Sequence, residues 1–454
     1  MAGAVDSAGR AATAVRRDFI PRSDYVDPGV HELEKERLWP RVWQIACREE
    51  EIPNVGDYVN YEIIDDSILV VRSATGVVRA FHNVCSHRGR RLRDDARGNA
   101  ASFRCNYHAW RFGLDGRLLE YPSPEDWTGC PQMDEANTSL VEVKVGRWGG
   151  MVWINMDPDC GPLEAFLAPL PEKLDPFELD ACRLAAYWTV KVPANWKVVL
   201  EAFVEAYHVP GTHPQLLRFG HSHAPAAPED LAQSRLHATH TTTRVHGPEP
   251  GSPYAGADAR TLFYAQMEEL HRTINAMFLG PTMAAARRVV TELPEGTSAE
   301  VVGERYFDFH KEELIKSGAA WPSRLTRADL WSTDWQIFPN SSVLPTIDGA
   351  LWYRMRPDGD RADACIFDIW SLARFAPGKA PRVEQEIFPT PDDFRGRSPF
   401  LEQDFKNLVG VQKGMRSRAW RGARPSPVQE VSVTNLHRML HEYLYGEGPA
   451  GKGR

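Results

Sequence analysis

The chain has 454 residues, of which 43% are apolar and 25% charged, and its formal net charge is −8. This composition is typical of a soluble globular protein of roughly two to three domains, and the negative charge without any basic run argues against a nucleic-acid-binding surface. No apolar stretch reaches the length of about 18 residues that a membrane span needs, and seven cysteines without a regular spacing argue against a disulfide framework. We therefore expect a cytoplasmic protein that does not span a membrane.

Residues 1–40 are expected to hold an N-terminal tail and one short helix that packs on the core. Residues 1–17 are rich in Ala and Arg, which favours a frayed tail over a targeting segment. Further on, Leu33 and Leu38 lie at roughly helical spacing before Pro40 ends the run.

Residues 41–158 read as an antiparallel β domain. From Val42 the apolar residues form short alternating runs, which are separated by turn residues such as Pro53, Gly56 and Gly76. Predicted strands lead into two Cys/His pairs. We expect each pair to lie on a tight loop that this domain holds rigidly.

The two Cys/His pairs indicate a metal site. Cys85-Ser-His87 and Cys105-Asn-Tyr-His108 are each short enough to present a thiolate and an imidazole to one point. Such a set can hold one tetrahedral zinc, or a [2Fe-2S] cluster in which two Cys bind one iron and two His bind the other. The four residues alone leave both possibilities open, with zinc favoured.

Residues 159–454 contain a second candidate metal site. A helix is predicted to begin near Asn195, whose side chain can cap it. Three side chains would share one face of this helix: Glu201, Glu205 and His208. Pro210 and Gly211 would then end the helix and bring His213 back to the same point. Two histidines with an acid nearby suit a mononuclear Fe(II) with positions open for dioxygen, although both could equally be surface or core residues without a metal.

The rest of this segment predicts helices followed by strands. Residues 220–260 look like an irregular loop, and its histidines are interpreted as polar loop residues rather than as a further metal site: His221, His223, His237, His240 and His246. Residues 260–318 show helical spacing. After Asp329, apolar runs predict strands, with a hairpin turn at residues 357–360. Antiparallel strands with helices on one side predict an α+β domain.

Both motifs resemble those of one family. C-x-H-R-G followed by C-x-x-H-A-W resembles the Rieske cluster signature. E-A-Y-H-x4-H after N-W-K resembles the iron motif of the Rieske non-haem iron oxygenases, the large (alpha) subunits of aromatic ring-hydroxylating oxygenases. The resemblance runs from about Trp43 to the C-terminal region. It implies an antiparallel β Rieske domain followed by a catalytic domain with a helix-covered antiparallel sheet.

The resemblance also implies roles for individual residues. The ligands of the [2Fe-2S] cluster would be Cys85, His87, Cys105 and His108, and those of the mononuclear iron would be His208, His213 and Asp404. Asp404 fits the family pattern of an acid on a C-terminal helix, whereas the runner-up Glu402 reads as an exposed acid at a helix start. Glu205 would link the two centres by a hydrogen bond to a cluster ligand of a neighbouring subunit.

The expected activity follows from these cofactors. The chain would be the oxygenase component of a multicomponent system, which uses electrons from NAD(P)H to activate O2 at Fe(II) and to hydroxylate an aromatic or other hydrophobic organic substrate. A separate reductase, with or without a ferredoxin, is implied because no G-x-G-x-x-G lies between a strand and a helix. The resemblance implies a homotrimer, or a trimer with a small beta subunit.

Three alternatives remain at this point. The same cofactors suit a monooxygenase that removes N- or O-alkyl groups from, or hydroxylates, an amine or a bulky alicyclic substrate. A Rieske electron-transfer protein without oxygenase activity is disfavoured, because Arg90 and Tyr107 stand where respiratory-type relatives have extra cysteines. A binding protein with a structural zinc is the third.

The stretch I-F-P-N resembles a strand that lines the substrate pocket in this family. Candidates for substrate contact are Trp335, Phe338, Asn340 and Leu351. Packing in the core accounts for these four equally well.

Overall fold

A computed structural model describes residues 18–219, 221–223, 236–238, 244–246, 252–331 and 334–446. The predicted tail at residues 1–17 and His240 lie outside the described residues. The chain forms two compact units, one of Glu34–Phe166 and one of Met1–Leu33 together with Leu167–Arg454. The expected α+β fold is confirmed.

The N-terminal segment holds two short helices where the sequence predicted one. β1 (Ile20–Pro21) is followed by α1 (Ser23–Val26) and α2 (Pro28–Leu33). Asp27 separates the helices in an extended conformation, φ −86° and ψ 117°, because a residue that precedes proline is driven out of the helical region. A π-helical turn then covers Glu34–Leu38 and a 3-10 turn covers Trp39–Arg41.

The unit Glu34–Phe166 is an antiparallel β domain. Its strands are β2 (Gln44–Arg48), β3 (Asp57–Ile63), β4 (Asp66–Ala74), β5 (Val77–His82), β6 (Arg97–Asn99), β7 (Phe103–Arg104), β8 (Arg111–Phe112), β9 (Leu118–Glu120), β10 (Glu142–Trp148) and β11 (Met151–Asn155), with a short helix α3 (Glu135–Thr138). One sheet has the order β2-β11-β10-β5-β4-β3-β6, and the other has the order β7-β8-β9. The β7–β8 turn carries Cys105 and His108, and the loop after β5 carries Cys85 and His87.

The core of this unit includes both cysteines. They pack with large apolar side chains in one buried cluster, which contains Tyr58, Leu69, Val71, Phe81, Leu92, Phe103, Trp110, Phe112 and Leu140. The loops that carry the Cys/His pairs are therefore anchored in the core at their cysteine ends, as expected for a rigid metal site.

The helix α4 (Leu163–Leu167) leads into the larger unit. Its elements are α5 (Leu170–Leu174), β12 (Arg183–Val192), α6 (Trp196–Glu201), α7 (Val209–Thr212), β13 (His221–His223), β14 (Leu236–Ala238), β15 (Arg244–His246), α8 (Ala259–Ile274), α9 (Gly280–Glu292), α10 (Ala299–Lys316), β16 (Trp335–Ile337), β17 (Ser341–Thr346), β18 (Gly349–Asp358), β19 (Arg361–Ala373), β20 (Glu386–Phe388), α11 (Pro399–Met415), β21 (Gly422–Ala423) and α12 (Val431–Leu444). Seven strands form one sheet in the order β14-β16-β17-β18-β19-β12-β20. The predicted hairpin turn is confirmed between β18 and β19.

The segment expected to be an irregular loop contains three strands. β13 pairs with β15, and β14 pairs with β16 at the edge of the seven-stranded sheet. The prediction of irregular structure at residues 220–260 was therefore wrong for these nine positions. Strands of three residues are too short to show a period in the sequence, and their pairing with distant strands decides their conformation.

Two helices place the second candidate metal site over the seven-stranded sheet. α6 packs on β18 and β19, and α11 packs on α6, α7 and α8. α11 buries one side of the helix, through Leu401, Asp404, Phe405, Leu408, Gln412 and Met415. This spacing of three and four residues keeps Asp404 on the inward face. Among the described residues, no helix combines the length and apolarity needed to cross a membrane.

Candidate metal centres

The two Cys/His loops share one backbone pattern. In the first, Cys85 N–H donates to Arg90 O at 2.8 Å and Gly89 N–H donates to Cys85 O at 3.0 Å. In the second, Cys105 N–H donates to Trp110 O at 2.8 Å and Ala109 N–H donates to Cys105 O at 3.1 Å. Each loop therefore closes on its own cysteine with the same two hydrogen bonds.

A residue with positive φ makes each of these turns possible. Gly89 has φ +74° and Ala109 has φ +60°, each four residues after its cysteine. Glycine adopts this left-handed conformation readily, whereas alanine adopts it at a cost in free energy. The strained Ala109 follows His108 directly, so the second loop keeps an unfavourable backbone in order to place this histidine.

The side chains of the four residues fit a cluster. Cys85 and Cys105 are buried, and the rings of His87 and His108 lie 4.6 Å apart. Among the described residues, neither histidine has a hydrogen-bond partner for its buried Nδ1. Burial, and then the charges of His108 and Arg88, lower the pKa of His87, which favours the neutral imidazole that binds metals. His87 also stacks on Trp110, which fixes its ring plane.

His208, His213 and Asp404 converge in the larger unit. One ligand atom from each lies within 4.8 Å of the other two. His213 Nε2 is 3.0 Å and His208 Nε2 is 3.7 Å from Asp404 Oδ1. Within the described part of the chain, His213 Nε2 and both carboxylate oxygens of Asp404 are buried and make no hydrogen bond. Two imidazole nitrogens and a buried carboxylate without a hydrogen bond, all aimed at one point, are what a divalent cation requires.

The far nitrogen of each histidine is held by a second residue. Glu205 Oε1 lies 2.7 Å from His208 Nδ1, and Glu205 Oε2 accepts from the His208 backbone N–H at 3.0 Å. Gln403 Oε1 lies 2.8 Å from His213 Nδ1. Such contacts leave the Nε2 atom of each histidine free to bind a metal, and they fix the orientation of each ring. Burial alone would lower the pKa of His208, but the hydrogen bond to Glu205 and the charges of Glu205 and Asp404 outweigh it and raise this pKa.

Glu205 and His208 do not lie on the predicted helix. α6 begins after Asn195, which caps it as expected by accepting from Lys197 N–H, but α6 ends at Glu201. Glu205 lies in the following turn, and Pro210 stands in the first turn of α7 instead of ending a helix. Proline is tolerated in that position because its missing N–H has no helical partner there.

Sequence reasoning assigned no role to two glutamines of α11, Gln403 and Gln412. Gln403 lies between Glu402 and Asp404 in the sequence. Phe400, one turn earlier, stacks on the ring of His213 at 3.6 Å. Gln412 accepts from the backbone N–H of Asn195 at 2.7 Å, and so ties α11 to the start of α6. Helical spacing from Asp404 could have indicated Gln412, which lies eight residues later on the same face of α11, but not Gln403.

Glu402 is placed elsewhere. Its Oε1 accepts from the backbone N–H of Gly396 at 2.7 Å, in the first turn of α11. The structure therefore brings Asp404, and not Glu402, to His208 and His213.

An aromatic cluster adjoins this site. The rings of Phe203, Tyr353 and Phe367 lie 4.9 to 5.2 Å from one another, and Phe405, the residue after Asp404, packs on Phe367 at 5.7 Å. Burial, and then the charge of Asp404, raise the pKa of Tyr353 well above its ordinary value. Aromatic faces of this kind can bind either an apolar ring or a cation.

Two polar side chains, Ser342 and Gln336, lie on the same face of the sheet as Tyr353. Ser342 pairs directly with Tyr353 and with Gln336, so these three side chains point to one side of the sheet, and Ser342 Oγ donates to Phe203 O at 3.2 Å. Gln336 is 1% exposed. Neither polar atom of its carboxamide has a hydrogen-bond partner among the described residues.

The four residues predicted to contact substrate do not lie together on one face of the sheet. Leu351 lies on the same strand and the same face as Tyr353, whereas Trp335 pairs with Val343 on the opposite face. The ring of Phe338 packs on Tyr443 of α12 at 5.4 Å. Asn340 is buried in the turn between β16 and β17.

Comparison with known protein families divides the chain in the same order as the two sites. The profile of the Rieske [2Fe-2S] domain matches residues 42–136, and that of the ring hydroxylating alpha subunit (catalytic domain) matches residues 179–446. The first match includes both Cys/His loops, which decides between a [2Fe-2S] cluster and zinc, and the second includes His208, His213 and Asp404.

Relatives align over part of their length. The oxygenase subunit of glycine betaine monooxygenase from Chromohalobacter salexigens is 38% identical over 44% of this chain and 44% of its own length. That of carnitine monooxygenase from Escherichia coli K12 is 37% identical over 43% of this chain and 52% of its own. The large subunit of anthranilate 1,2-dioxygenase from Acinetobacter baylyi is 31% identical over 43% of this chain and 42% of its own length. The chain thus spans about half the length of the curated relatives that it matches.

Solved structures share the fold over nearly the whole chain. A quaternary ammonium Rieske monooxygenase in complex with L-carnitine has a TM-score of 0.60 at 20% identity and covers 94% of this chain and 96% of its own. Naphthalene 1,2-dioxygenase from Rhodococcus has a TM-score of 0.58 at 22% identity and covers 95% of both chains. With the profile match over most of the larger unit, these findings show that the chain belongs to the ring-hydroxylating alpha subunit family and that it combines a Rieske [2Fe-2S] domain with a non-haem iron catalytic domain.

Proposed function

We propose that this chain is the oxygenase component of a Rieske system and that it oxidises a small substrate with O2 and electrons from NAD(P)H. The observation that carries the proposal is the convergence of His208, His213 and Asp404 on one buried point. We assign these residues to the mononuclear iron, and Cys85, His87, Cys105 and His108 to the [2Fe-2S] cluster. When bound, the cluster supplies single electrons and Fe(II) supplies the activation of dioxygen.

The surrounding residues would orient these ligands and exclude water. Glu205 and Gln403 hold the Nδ1 atoms of His208 and His213, so that each Nε2 faces the iron position. Phe400 covers the ring of His213, which is 0% exposed. A dry site strengthens the interaction between the Asp404 carboxylate and a cation.

For the substrate, we favour an amine that carries a quaternary ammonium group. Two of the relatives named above are monooxygenases of glycine betaine and carnitine. The rings of Phe203, Tyr353 and Phe367 pack together near Asp404, and aromatic rings attract cations. One oxygen atom would enter a C–H bond next to nitrogen and the other would leave as water. The resulting carbinolamine would break its C–N bond to give an aldehyde and a less substituted amine.

Hydroxylation of an aromatic ring is the second candidate. The anthranilate dioxygenase subunit is also a relative, and the same aromatic cluster offers offset or edge-to-face packing for a ring. This outcome would place the chain in aromatic catabolism.

A substrate panel tests the two candidates. The purified chain would be mixed with a Rieske reductase, NADH or NADPH, and either glycine betaine, L-carnitine, γ-butyrobetaine, anthranilate or naphthalene. We expect amine and aldehyde products from a quaternary ammonium compound, in one-to-one ratio with the NAD(P)H consumed. A cis-diol from an aromatic compound instead would support the second candidate, and the absence of O2-dependent product from every compound would count against both.

The buried carboxamide of Gln336 predicts a polar contact with the substrate. A buried amide without a partner costs about 1–3 kcal/mol, and a carboxylate or hydroxyl of the substrate would remove this cost. We expect Gln336→Leu to raise KM for a carboxylated substrate about 10-fold or more, with a smaller effect on kcat. Tetramethylammonium, which has no carboxylate, serves as the control substrate. An equal loss with both substrates would assign Gln336 to packing alone.

The proposal also includes partners and assembly. A separate reductase, with or without a ferredoxin, would reduce the cluster. Glu205, whose two oxygens contact His208, would relay electrons from the cluster of a neighbouring copy in a trimer, with or without a small beta subunit. Sedimentation of the native protein would test this trimer, and a monomer with full activity would contradict it.

A further inference from the structure

A fully buried histidine in α12 joins three separate segments of the larger unit. His437 is 0% exposed. Its Nδ1 lies 2.7 Å from Asp24 Oδ2, and its Nε2 lies 2.7 Å from Glu201 Oε1. Asp24 belongs to α1, and Glu201 is the last residue of α6. The imidazole therefore cross-links the N-terminal segment, the helix before the iron site and the C-terminal helix.

The two contacts define the charge of His437. A neutral imidazole has one N–H donor, whereas an ionised carboxylate only accepts. Two short contacts to two carboxylates therefore need both ring nitrogens to carry hydrogen. Tyr25 O–H donates to the other oxygen of Glu201 at 3.2 Å. Burial alone would lower the pKa of His437, but its hydrogen bonds to Asp24 and Glu201 raise it to about 9.

Two further ionisable groups, His441 and Glu430, face this cross-link. His441, one turn later in α12, has Nε2 at 2.9 Å from Asp24 Oδ2. Glu430, just before α12, has a pKa raised by burial and then by the charges of Glu205 and Glu201. Without a cation at His437, acids from three segments would repel one another in a poorly hydrated space.

The cross-link ends where the iron-site turn begins. The backbone carbonyl of Glu201 accepts from Val204 N–H at 3.3 Å, and Glu205 follows at once with its two contacts to His208. A shift of Glu201 would therefore be transmitted through a few residues to the orientation of the His208 ring. Loss of a contact that directly holds a metal-ligating histidine, as Glu205 holds His208, commonly changes metal affinity by about 10- to 100-fold.

We infer that His437 is a positioning residue for the iron site, in which a buried imidazolium anchors Glu201 and thereby sets the geometry of Glu205 and His208. It touches neither the substrate nor the metal ligands through any contact seen among the described residues. The inference rests on the proposed function only in that His208 holds iron.

The test compares His437→Gln with His441→Gln in the full-length protein. Both replace a histidine of α12 that contacts Asp24, but only His437 also contacts Glu201. The measured quantity is the rate of Fe(II) release to excess chelator without oxygen, with the visible spectrum of the cluster as a check on folding. We expect release about 10-fold faster or more in His437→Gln, and an unchanged rate in His441→Gln. Equal rates in His437→Gln and the wild type, even with a lower Tm, would reduce His437 to a structural role.

The pH profile of iron release provides a second readout. The pKa of His437 in the folded protein, about 9, lies above its ordinary value of 6.5. Its stabilising contribution is therefore complete below pH 6.5 and is lost as the pH rises through about 9. We expect Fe(II) release from the wild type to accelerate across that pH range. His437→Gln should lack this pH-dependent change, and Glu201→Gln should shift it to lower pH. Glu201→Gln keeps an acceptor for His437 and so remains informative where His437→Gln does not fold.

The outcomes separate this inference from the proposed function. Wild-type protein that binds no iron at His208 would contradict the proposed function itself. If the wild type binds iron, and if His437→Gln and Glu201→Gln release it with the same pH profile as the wild type, only the positioning role of His437 is overturned.

Discussion

Asp404→Ala is expected to remove the mononuclear iron and the oxygenase activity while leaving the cluster intact. Asp404 supplies the negative charge among the three groups that meet at this point, and both its oxygens are buried without a hydrogen bond to any described residue. Two histidines alone give a weaker site, so we expect Fe(II) affinity to fall more than about 100-fold. Iron analysis, the visible spectrum of the cluster and product formation measure the three effects separately.

Glu402→Ala is the matched control for this substitution. It removes a carboxylate from the same helix, but Glu402 bonds to the backbone of Gly396 and not to the histidines. We expect near wild-type iron content and activity. Full activity of Asp404→Ala, or loss of iron from Glu402→Ala, would reverse the assignment of the third ligand.

Glu205→Gln is expected to uncouple the two metal centres without removing either. Glutamine keeps the length of the side chain and one acceptor for His208, but it loses the charge that Oε1 presents to Nδ1 at 2.7 Å. We expect reoxidation of the reduced cluster in the presence of O2 and substrate to slow by about 10- to 100-fold. Rapid mixing of prereduced protein with O2, followed by the visible absorbance of the cluster, measures this rate.

Glu430→Gln serves as its control. Glu430 is close enough for its charge to affect the pKa of His208, but its Oε2 accepts from Ser426 N–H at 2.6 Å. Neutralising it should leave the reoxidation rate nearly unchanged. If both variants slow the rate equally, the general negative charge near His208, and not the contact of Glu205, controls electron transfer.

Local spacing, together with the family resemblance, was enough to identify the candidate ligands that are neighbours in the chain. Each Cys/His pair lies within four residues, and tight turns leave such pairs few arrangements. His208 and His213 were identified although the helix expected to carry them ends at Glu201. Their meeting depends on the turn after α6 and on α7, which covers the residues between them.

Contacts between distant segments could not be derived in this way. Asp404 was chosen through a family resemblance, and only packing of α11 on α6 and α7 brings it to the histidines. His437 and Asp24 are separated by 413 positions, and no periodicity links them. Gln336 differs from the predicted Trp335 by one position, which in a strand moves the side chain to the opposite face.

The metal content of the purified protein shows whether the chain holds both a [2Fe-2S] cluster and a mononuclear iron. A [2Fe-2S] cluster together with a mononuclear site predicts a red-brown protein with about three irons and about two acid-labile sulfides per chain. A colourless protein that contains one zinc and no sulfide would contradict the account.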